Sequence, residues 1–342
     1  MGSLDCNLVD SIFMSMYGSY RNTTSEKLAQ VLGYSRTIRD VSITNLTKLD
    51  IKNQYGSYAI SDFIFVPPII SYGKRLIGIA TLKDEMKKDK KKIAIVTGAS
   101  SGLGKEFVRL LIKEELDEIW AVARNKEKLS MLQEEFGDKI ITISKDLSNK
   151  EEVHSFEAIL AEEKPQILFL VNSAGIGKMG TYSDFTLEEI DKTIYLNCNT
   201  MALLCTMCIP YMSENSNILN LSSQSSFQPV AYLNIYAATK AFERSYSRAL
   251  HMELKDKKIT VTAVCPGWVD TDLLIKESGG KTIKFPGIVS ADRVAEKAIK
   301  DARKGRDMSV CSAYVKFMRF YAKVLPEKFV MNSWVKSIKK YW

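Results

Sequence analysis

The sequence predicts an α/β chain with a doubly wound parallel sheet, an N-terminal extension or small domain, and a C-terminal helical tail. Three observations carry this prediction. Between Ile93 and about Lys304, the runs IAIVT, EIWAVA, ITISK, ILFLVN, NILNLS and ITVTAVC alternate with helical stretches. Short apolar strands separated by helices read as a parallel sheet covered on both faces. Ahead of them, the charged run Lys83 to Lys92 reads as a solvated connector after a segment rich in Ser, Thr, Asn and Tyr, which sets a domain boundary. Beyond them, Ser309 to Trp342 has the spacing of one or two amphipathic helices broken near Pro326. The predicted division is 1–90 for the extension, 91–304 for the sheet domain and 305–342 for the tail. No internal repeat is visible.

Composition narrows the class. The chain has 342 residues, 26% charged and 46% apolar, a globular balance. No run approaches the roughly 18 uncharged apolar residues of a membrane helix. The longest apolar stretch, Phe63 to Ile70, holds Pro67 and Pro68. The start, MGSLDCNLVD, shows no basic region followed by an apolar run, so a cytoplasmic setting is expected. Six cysteines form no Cys/His cluster, and Cys205 and Cys208, three apart in an apolar helical pattern, read as small core residues, so no metal site is expected. With only His154 and His251, a histidine base is not expected. From Arg303 to Trp342 there are ten Lys/Arg against Asp307 and Glu327, which accounts for the whole net charge of +8.

The first predicted strand runs into Thr97-Gly98-Ala99-Ser100-Ser101-Gly102-Leu103-Gly104 and then a helix. Glycines at such a turn let the backbone approach a pyrophosphate, and the helix start offers free N–H groups and a positive dipole end. The strand before and the helix after are the context that gives a glycine pattern weight. The second strand ends in Ala123 and Arg124, where an acidic residue would hold free ribose hydroxyls. A guanidinium suits a 2′-phosphate instead, which favours NADP(H) over NAD(H).

Tyr236 and Lys240 lie four apart in a helical stretch, on one face. An isolated phenol, with a pKa of about 10, is a poor base at neutral pH, and a nearby ammonium lowers that value. Such a pair suits carbonyl–alcohol interconversion. Ser223 closes a strand thirteen residues before Tyr236, and its hydroxyl would hold the substrate oxygen. Asn172, Ser173, Ala174 and Gly175 close another strand and would wall the cofactor cleft. The turn Cys265-Pro266-Gly267-Trp268-Val269-Asp270-Thr271 would present main-chain groups to the nicotinamide amide.

With these landmarks in order — TGASSGLG, Asp146-Leu147, NSAG, Asn197, Ser223, YAATK and PGWVDT — residues 92 to about 300 resemble the short-chain dehydrogenase/reductase family, single-domain Rossmann-fold oxidoreductases using NAD(P). The resemblance implies that Tyr236 is the general acid/base. Lys240 lowers its pKa and holds the ribose, Ser223 orients the carbonyl, and Asn197 anchors the water of a proton relay. Asp146 would contact the adenine, and Val269 and Thr271 the carboxamide. Ser222 faces the wrong way. Ser173 stands where the family usually has a second Asn, and Ser101 where many NADP enzymes have Lys or Arg, so Arg124 is the main support for NADP. The substrate pocket would be walled by Gln224–Leu233 and Asp272–Gly287, with Gly279-Gly280 allowing movement. Phe227, Tyr232, Leu233, Trp268 and Leu274 suggest a hydrophobic ketone, steroid-like or acyl-type. The family often self-associates, so a homo-oligomer is expected.

The ends leave a second class open. Glu26–Leu32, Gly33-Tyr34-Ser35, Arg36–Leu49 and a hairpin within Ile51–Ile60 resemble a winged helix-turn-helix, although the turn is one residue short and Asp40 and Asp50 border the would-be recognition helix. Residues 1–90 hold twelve Lys/Arg and nine Asp/Glu, a weak phosphate-binding signature. The alternative function is therefore a regulator that senses NADP(H) or a ligand and binds DNA through this module. In the tail, Lys316, Arg319 and Lys323 lie beside Tyr314, Phe317, Phe320, Tyr321 and Val324, a pattern that fits packing on the domain, a subunit contact or an anionic membrane surface.

Overall fold

The computed structural model describes residues 54–55, 58–59, 90–271, 274, 277–278, 281–282 and 285–338. The chain divides into two compact units, Met1–Asp89 and Lys90–Trp342. In the first, β1 (Gln54–Tyr55) pairs antiparallel with β2 (Tyr58–Ala59), a hairpin inside the stretch expected to hold one. The helix-turn-helix reading over residues 26–49 lies outside the described residues.

The second unit is the predicted doubly wound sheet. Its strands are β3 (Lys92–Thr97), β4 (Glu118–Ala123), β5 (Ile140–Ser144), β6 (Gln166–Asn172), β7 (Met212–Leu221), β8 (Thr260–Val264) and, beyond four short ladder strands, β13 (Met308–Ser309). They form one seven-stranded sheet in the order β13-β8-β7-β6-β3-β4-β5, with every pairing parallel. The chain winds outward from β3 to β5 and then restarts at β6 on the other side of β3. That reversal opens a crevice beyond the carboxyl ends of β3 and β6, where such sheets bind ligands.

Alternate residues of β3 feed two cores. Ala94 and Val96 face α1 (Gly102–Leu111), through Phe107 and Val108, and α7 (Ala291–Arg303), through Val294 and Ala298. Ile93 and Ile95 face α3 (Lys150–Glu163), through Phe156 and Leu160, and α5 (Met201–Cys208). Period-two side chains on a doubly covered strand make both faces apolar, which is why the strands read as unbroken apolar runs. Cys205 and Cys208 are fully buried in the second core, as their pattern predicted. Burial pushes the Cys205 thiol up to about 12. Between α1 and α3, α2 (Lys126–Phe136) starts on an Asn125 cap.

Leading into α5, α4 (Leu187–Ile194) opens on a Thr186/Glu189 capping box and continues without a break through a π-helical turn, Tyr195–Thr200. Next comes α6 (Asn234–Glu253), which runs along the sheet face and buries Thr239, Lys240, Glu243, Ser247 and Leu250. After β8, β9 (Val269–Asp270) pairs with β12 (Val289–Ser290), and β10 (Glu277–Ser278) with β11 (Lys281–Thr282). Gly279 and Gly280 lie outside the described residues. The tail forms α8 (Ala313–Val324) and α9 (Glu327–Ile338), separated at Leu325-Pro326. Val315 of α8 is fully buried, and Trp334 Nε1 donates to the Ala231 carbonyl at 2.9 Å. Phe317, Phe320, Val324 and Phe329 stay exposed. Among the described residues, no helix is long and apolar enough to cross a membrane.

Candidate active site

The crevice is stitched at its base. Thr97, the last residue of β3, accepts the N–H groups of Ser173 and Ala174 at 3.1 Å each through Oγ1. This draws the glycine-rich turn against the end of β6. Gly98 has φ +64°, and a methyl there would stand 3.0 Å from Ala174 N. At Gly104 a methyl would stand 2.1 Å from the Gly98 carbonyl oxygen, so only glycine lets the turn close. Ser101 caps α1 with extended backbone, but its side chain makes no capping bond. The first-turn N–H groups thus remain available to an external anion. Gly102 faces the Thr271 side chain, where a methyl would touch Cγ2 at 3.5 Å. Ser100, Ser101 and Leu103 lie on this loop with partial or full exposure. A dinucleotide pyrophosphate fits this cradle.

Arg124 follows β4 and is exposed, and Ser144 Oγ at the end of β5 donates to its carbonyl at 3.3 Å. Asp146 lies near this corner. Burial works against its charge, yet hydrogen bonds from the Ser148 side chain and backbone, with the charges of Arg124 and Lys192, hold the carboxyl below 3.8. Leu147 packs its side chain in the second core, and its carbonyl accepts Thr200 Oγ1 at 2.7 Å. Asn172 donates to Asn220 Oδ1 at 2.8 Å, and Asn220 donates to Ser247 at 2.9 Å, so the Asn172 side chain ties β6 to β7 and α6.

Tyr236 and Lys240 share a face of α6, as i, i+4 spacing requires. Lys240 Nζ lies 5.4 Å from the Tyr236 ring centroid. Nζ donates to the Leu221 carbonyl at 2.7 Å and to both Glu243 carboxylate oxygens at 2.9 and 3.0 Å. The Lys240 side chain is 7% exposed and that of Glu243 3%. Burial alone would favour the neutral amine, but Glu243 and Tyr236 hold Lys240 above 10.5. Burial pushes the Glu243 carboxyl up to about 7, against the pull of Lys240.

Asn197, at the π turn, is fully buried. Its Oδ1 accepts from Ile176 N at 3.0 Å, and its Nδ2 donates to the Ile176 carbonyl at 2.9 Å and to Thr239 Oγ1 at 3.0 Å. The amide thus fastens the loop after β6 to α6. A methyl on Gly175 would stand 3.3 Å from both Asn197 Oδ1 and Lys240 Nζ. Ser222 is committed to the Lys240 carbonyl at 2.6 Å, whereas Ser223 is half-buried and its Oγ accepts from Ser225 N at 3.2 Å. The Pro266 carbonyl accepts Gln224 N at 2.7 Å, which ties the Ser223 turn to Gly267. Val269 is held by pairing with Val289.

Three nearby residues escape the sequence patterns. Thr239 holds Asn197, and Gly177 lies under the Tyr236 ring. Glu243 holds Lys240, and its signal was available: 236, 240, 243 and 247 fall on one helical face. Phe227, assigned to the pocket wall, packs toward Val315 with the guanidiniums of Arg244 and Arg319 at 5.1 and 5.9 Å from its ring.

The geometry has counterparts. An uncharacterized oxidoreductase of Staphylococcus epidermidis is 30% identical over 211 residues, 61% of this chain and 91% of that one. A short-chain dehydrogenase from Sphingobium yanoikuyae, solved with NADPH, is similar at 26% identity and TM-score 0.56, over 64% of this chain and 87% of that chain. A 3-ketoacyl-(acyl-carrier-protein) reductase from Brucella melitensis, solved with NADH, is similar at 27% identity and TM-score 0.56, over 65% and 97%. The family model for short chain dehydrogenase matches residues 92–281, from β3 to the start of β11, and with the glycine cradle and the Tyr236/Lys240 face in place the chain belongs to the short-chain dehydrogenase family of NAD(P)-dependent oxidoreductases.

Proposed function

We propose that the chain is an NADPH-dependent reductase that interconverts a carbonyl and an alcohol, with Tyr236 as general acid/base. The observation that carries this reading is the buried Lys240 ammonium 5.4 Å from the Tyr236 ring centroid. An ammonium so placed opposes negative charge on the phenol oxygen and so supports proton exchange there. In the reducing direction Tyr236 Oη gives its proton to the carbonyl oxygen, and in the oxidising direction it takes the proton back from the alcohol. Ser223, freed from the strand interior that holds Ser222, orients the oxygen. Asn197 fixes the loop and helix between which a proton would pass to Lys240. The bound nicotinamide supplies or receives the hydride at the substrate carbon.

Two observations support the finer points. The exposed Arg124 beside Asp146 offers a guanidinium to a 2′-phosphate, which supports NADPH over NADH. Trp268 and Phe285, with ring centroids 4.9 Å apart, stand with Leu274 beyond the Pro266–Gly267 turn and favour an apolar substrate, a steroid-like or acyl-type ketone. An acyl-type ketone is also consistent with the Brucella relative. The test is NADPH oxidation screened over aldehydes, apolar ketones and 3-ketoacyl thioesters, with Tyr236→Phe as control. Tyr236-dependent turnover supports the reading, and equal turnover by both proteins rejects it.

A further inference from the structure

We propose that Glu243 is a positioning residue that sets the acidity of Tyr236 by holding and partly neutralising Lys240. The inference rests on the reading of Tyr236 as acid/base and adds a residue to it. An ammonium has three donors. Lys240 Nζ directs them at the Leu221 carbonyl and the two Glu243 oxygens, at 2.7, 2.9 and 3.0 Å. Nζ is therefore aimed by two fixed acceptors rather than by solvent, and its charge is opposed by a carboxylate in a nearly water-free setting. A carboxylate on one side of the ammonium subtracts from the field the ammonium exerts at the phenol on the other.

Glu243 has no competing use for its side chain among the described contacts. Its own carbonyl accepts Ser247 Oγ at 2.6 Å, which pins the backbone, and Asn220 holds Ser247 in turn. The ionisable groups facing it are few. Lys240 comes from its own helix, Cys198 from the π turn and Cys265 from the end of β8. Burial pushes both thiols up to about 11, so they stay neutral near pH 7. Lys240 is thus the charge that Glu243 acts upon. Because burial raises the Glu243 carboxyl well above the usual carboxylate range, its charge on Lys240 is lost more readily as pH falls than that of an exposed carboxylate. Protonating Glu243 releases a donor of Lys240 toward the cleft and strengthens the ammonium's hold on a phenolate.

The experiment is carbon-13 NMR of the full chain carrying tyrosine labelled at Cζ, titrated with pH, with Tyr236→Phe assigning the signal. Glu243→Gln should lower the Tyr236 midpoint by about one pH unit, roughly tenfold in acidity. Glu243→Asp, with a shorter reach, should move it less in the same direction. The wild-type Tyr236 signal should also show a second inflection, above the usual carboxylate range, as Glu243 titrates, which answers the question if the Gln variant fails to fold. An unmoved or raised midpoint, or a wild-type signal without that inflection, would overturn the proposal. Full turnover by Tyr236→Phe would instead reject the acid/base reading, and the titration would still report on Glu243.

Discussion

Gly177 lies so close under the Tyr236 ring that a methyl on its α-carbon would stand 2.4 Å from Cδ2 and 2.9 Å from Cε2. The loop that leaves β6 therefore forms a floor for the phenol. Asn197 fixes that loop one residue earlier through both backbone groups of Ile176. Gly177→Ala should displace the ring while leaving the glycine cradle at Gly98 and Gly104 untouched. A displacement of this order costs about 10²-fold in rate. Steady-state turnover should fall by that factor, and NADPH affinity by fluorescence titration should change little.

Arg124 is the cation at the corner that would receive a 2′-phosphate. A hydrogen bond to a charged group is worth about 1.5–3 kcal/mol, or about 10- to 100-fold in affinity. Arg124→Leu should weaken NADPH binding by that factor and leave NADH binding nearly unchanged. Paired titrations with the two nucleotides check it, and equal losses for both would remove Arg124 from cofactor choice.

Asp301 fastens the end of α7 to β13. Its carboxylate accepts from Ser309 Oγ at 2.7 Å, from Arg306 at 2.9 Å and from Lys297. Burial opposes its charge, but the hydrogen bonds from Lys297 and Ser309 and the charges of Lys297 and Arg306 hold the carboxyl below 3.8. Asp301→Ala leaves the buried Ser309 hydroxyl without its acceptor, while the part-exposed Lys297 and Arg306 can turn to water, and should cost about 1–3 kcal/mol, read by chemical denaturation. A carboxyl whose pKa falls on folding stabilises above its unfolded value, so this contribution persists at neutral pH and disappears as pH drops below 3.8 through the folded value.

Glu243 works in the opposite sense. Its carboxyl moves from 4.5 to about 7 on folding. The folded chain keeps a proton there that the unfolded chain has already lost, so stability falls as pH rises through that window and is flat above it. For one such group the loss is up to about 3 kcal/mol. Relative to Glu243→Gln, the wild type should lose stability as pH rises from about 4.5 to about 7. Parallel pH dependences in denaturant would contradict the assignment.

The central strands were legible because they are buried on both faces, so β3, β4, β6 and β8 announce themselves as apolar runs, whereas β7 begins at Met212, five polar or half-exposed residues before the NILNLS run. EIWAVA matches β4 residue for residue, and the break at Pro326 separates α8 from α9. Strand β13 was not legible: two residues, Met308 and Ser309, carry no period, and their place is fixed by pairing with Ala263 and Val264. Nor was the π turn, since Tyr195–Thr200 contains neither Gly nor Pro and the extra residue is absorbed where Asn197 reaches Ile176. In the site, Tyr236 and Lys240 could be placed on one face by spacing alone. The packing of Phe227 against Arg319 and Val315 was not legible, because these come from a helix some ninety residues later in the chain.

The central claim is that Tyr236 exchanges a proton with the substrate oxygen while NADPH occupies the glycine cradle. The most direct test measures NADPH affinity and NADPH oxidation together, in the wild type and in Tyr236→Phe, on a substrate found in the carbonyl screen. The predicted result is comparable NADPH affinity in both proteins and turnover reduced by about 10²- to 10⁴-fold in the variant. Turnover that survives the loss of the phenolic hydroxyl, or a wild type that binds neither NADPH nor NADH, would contradict it.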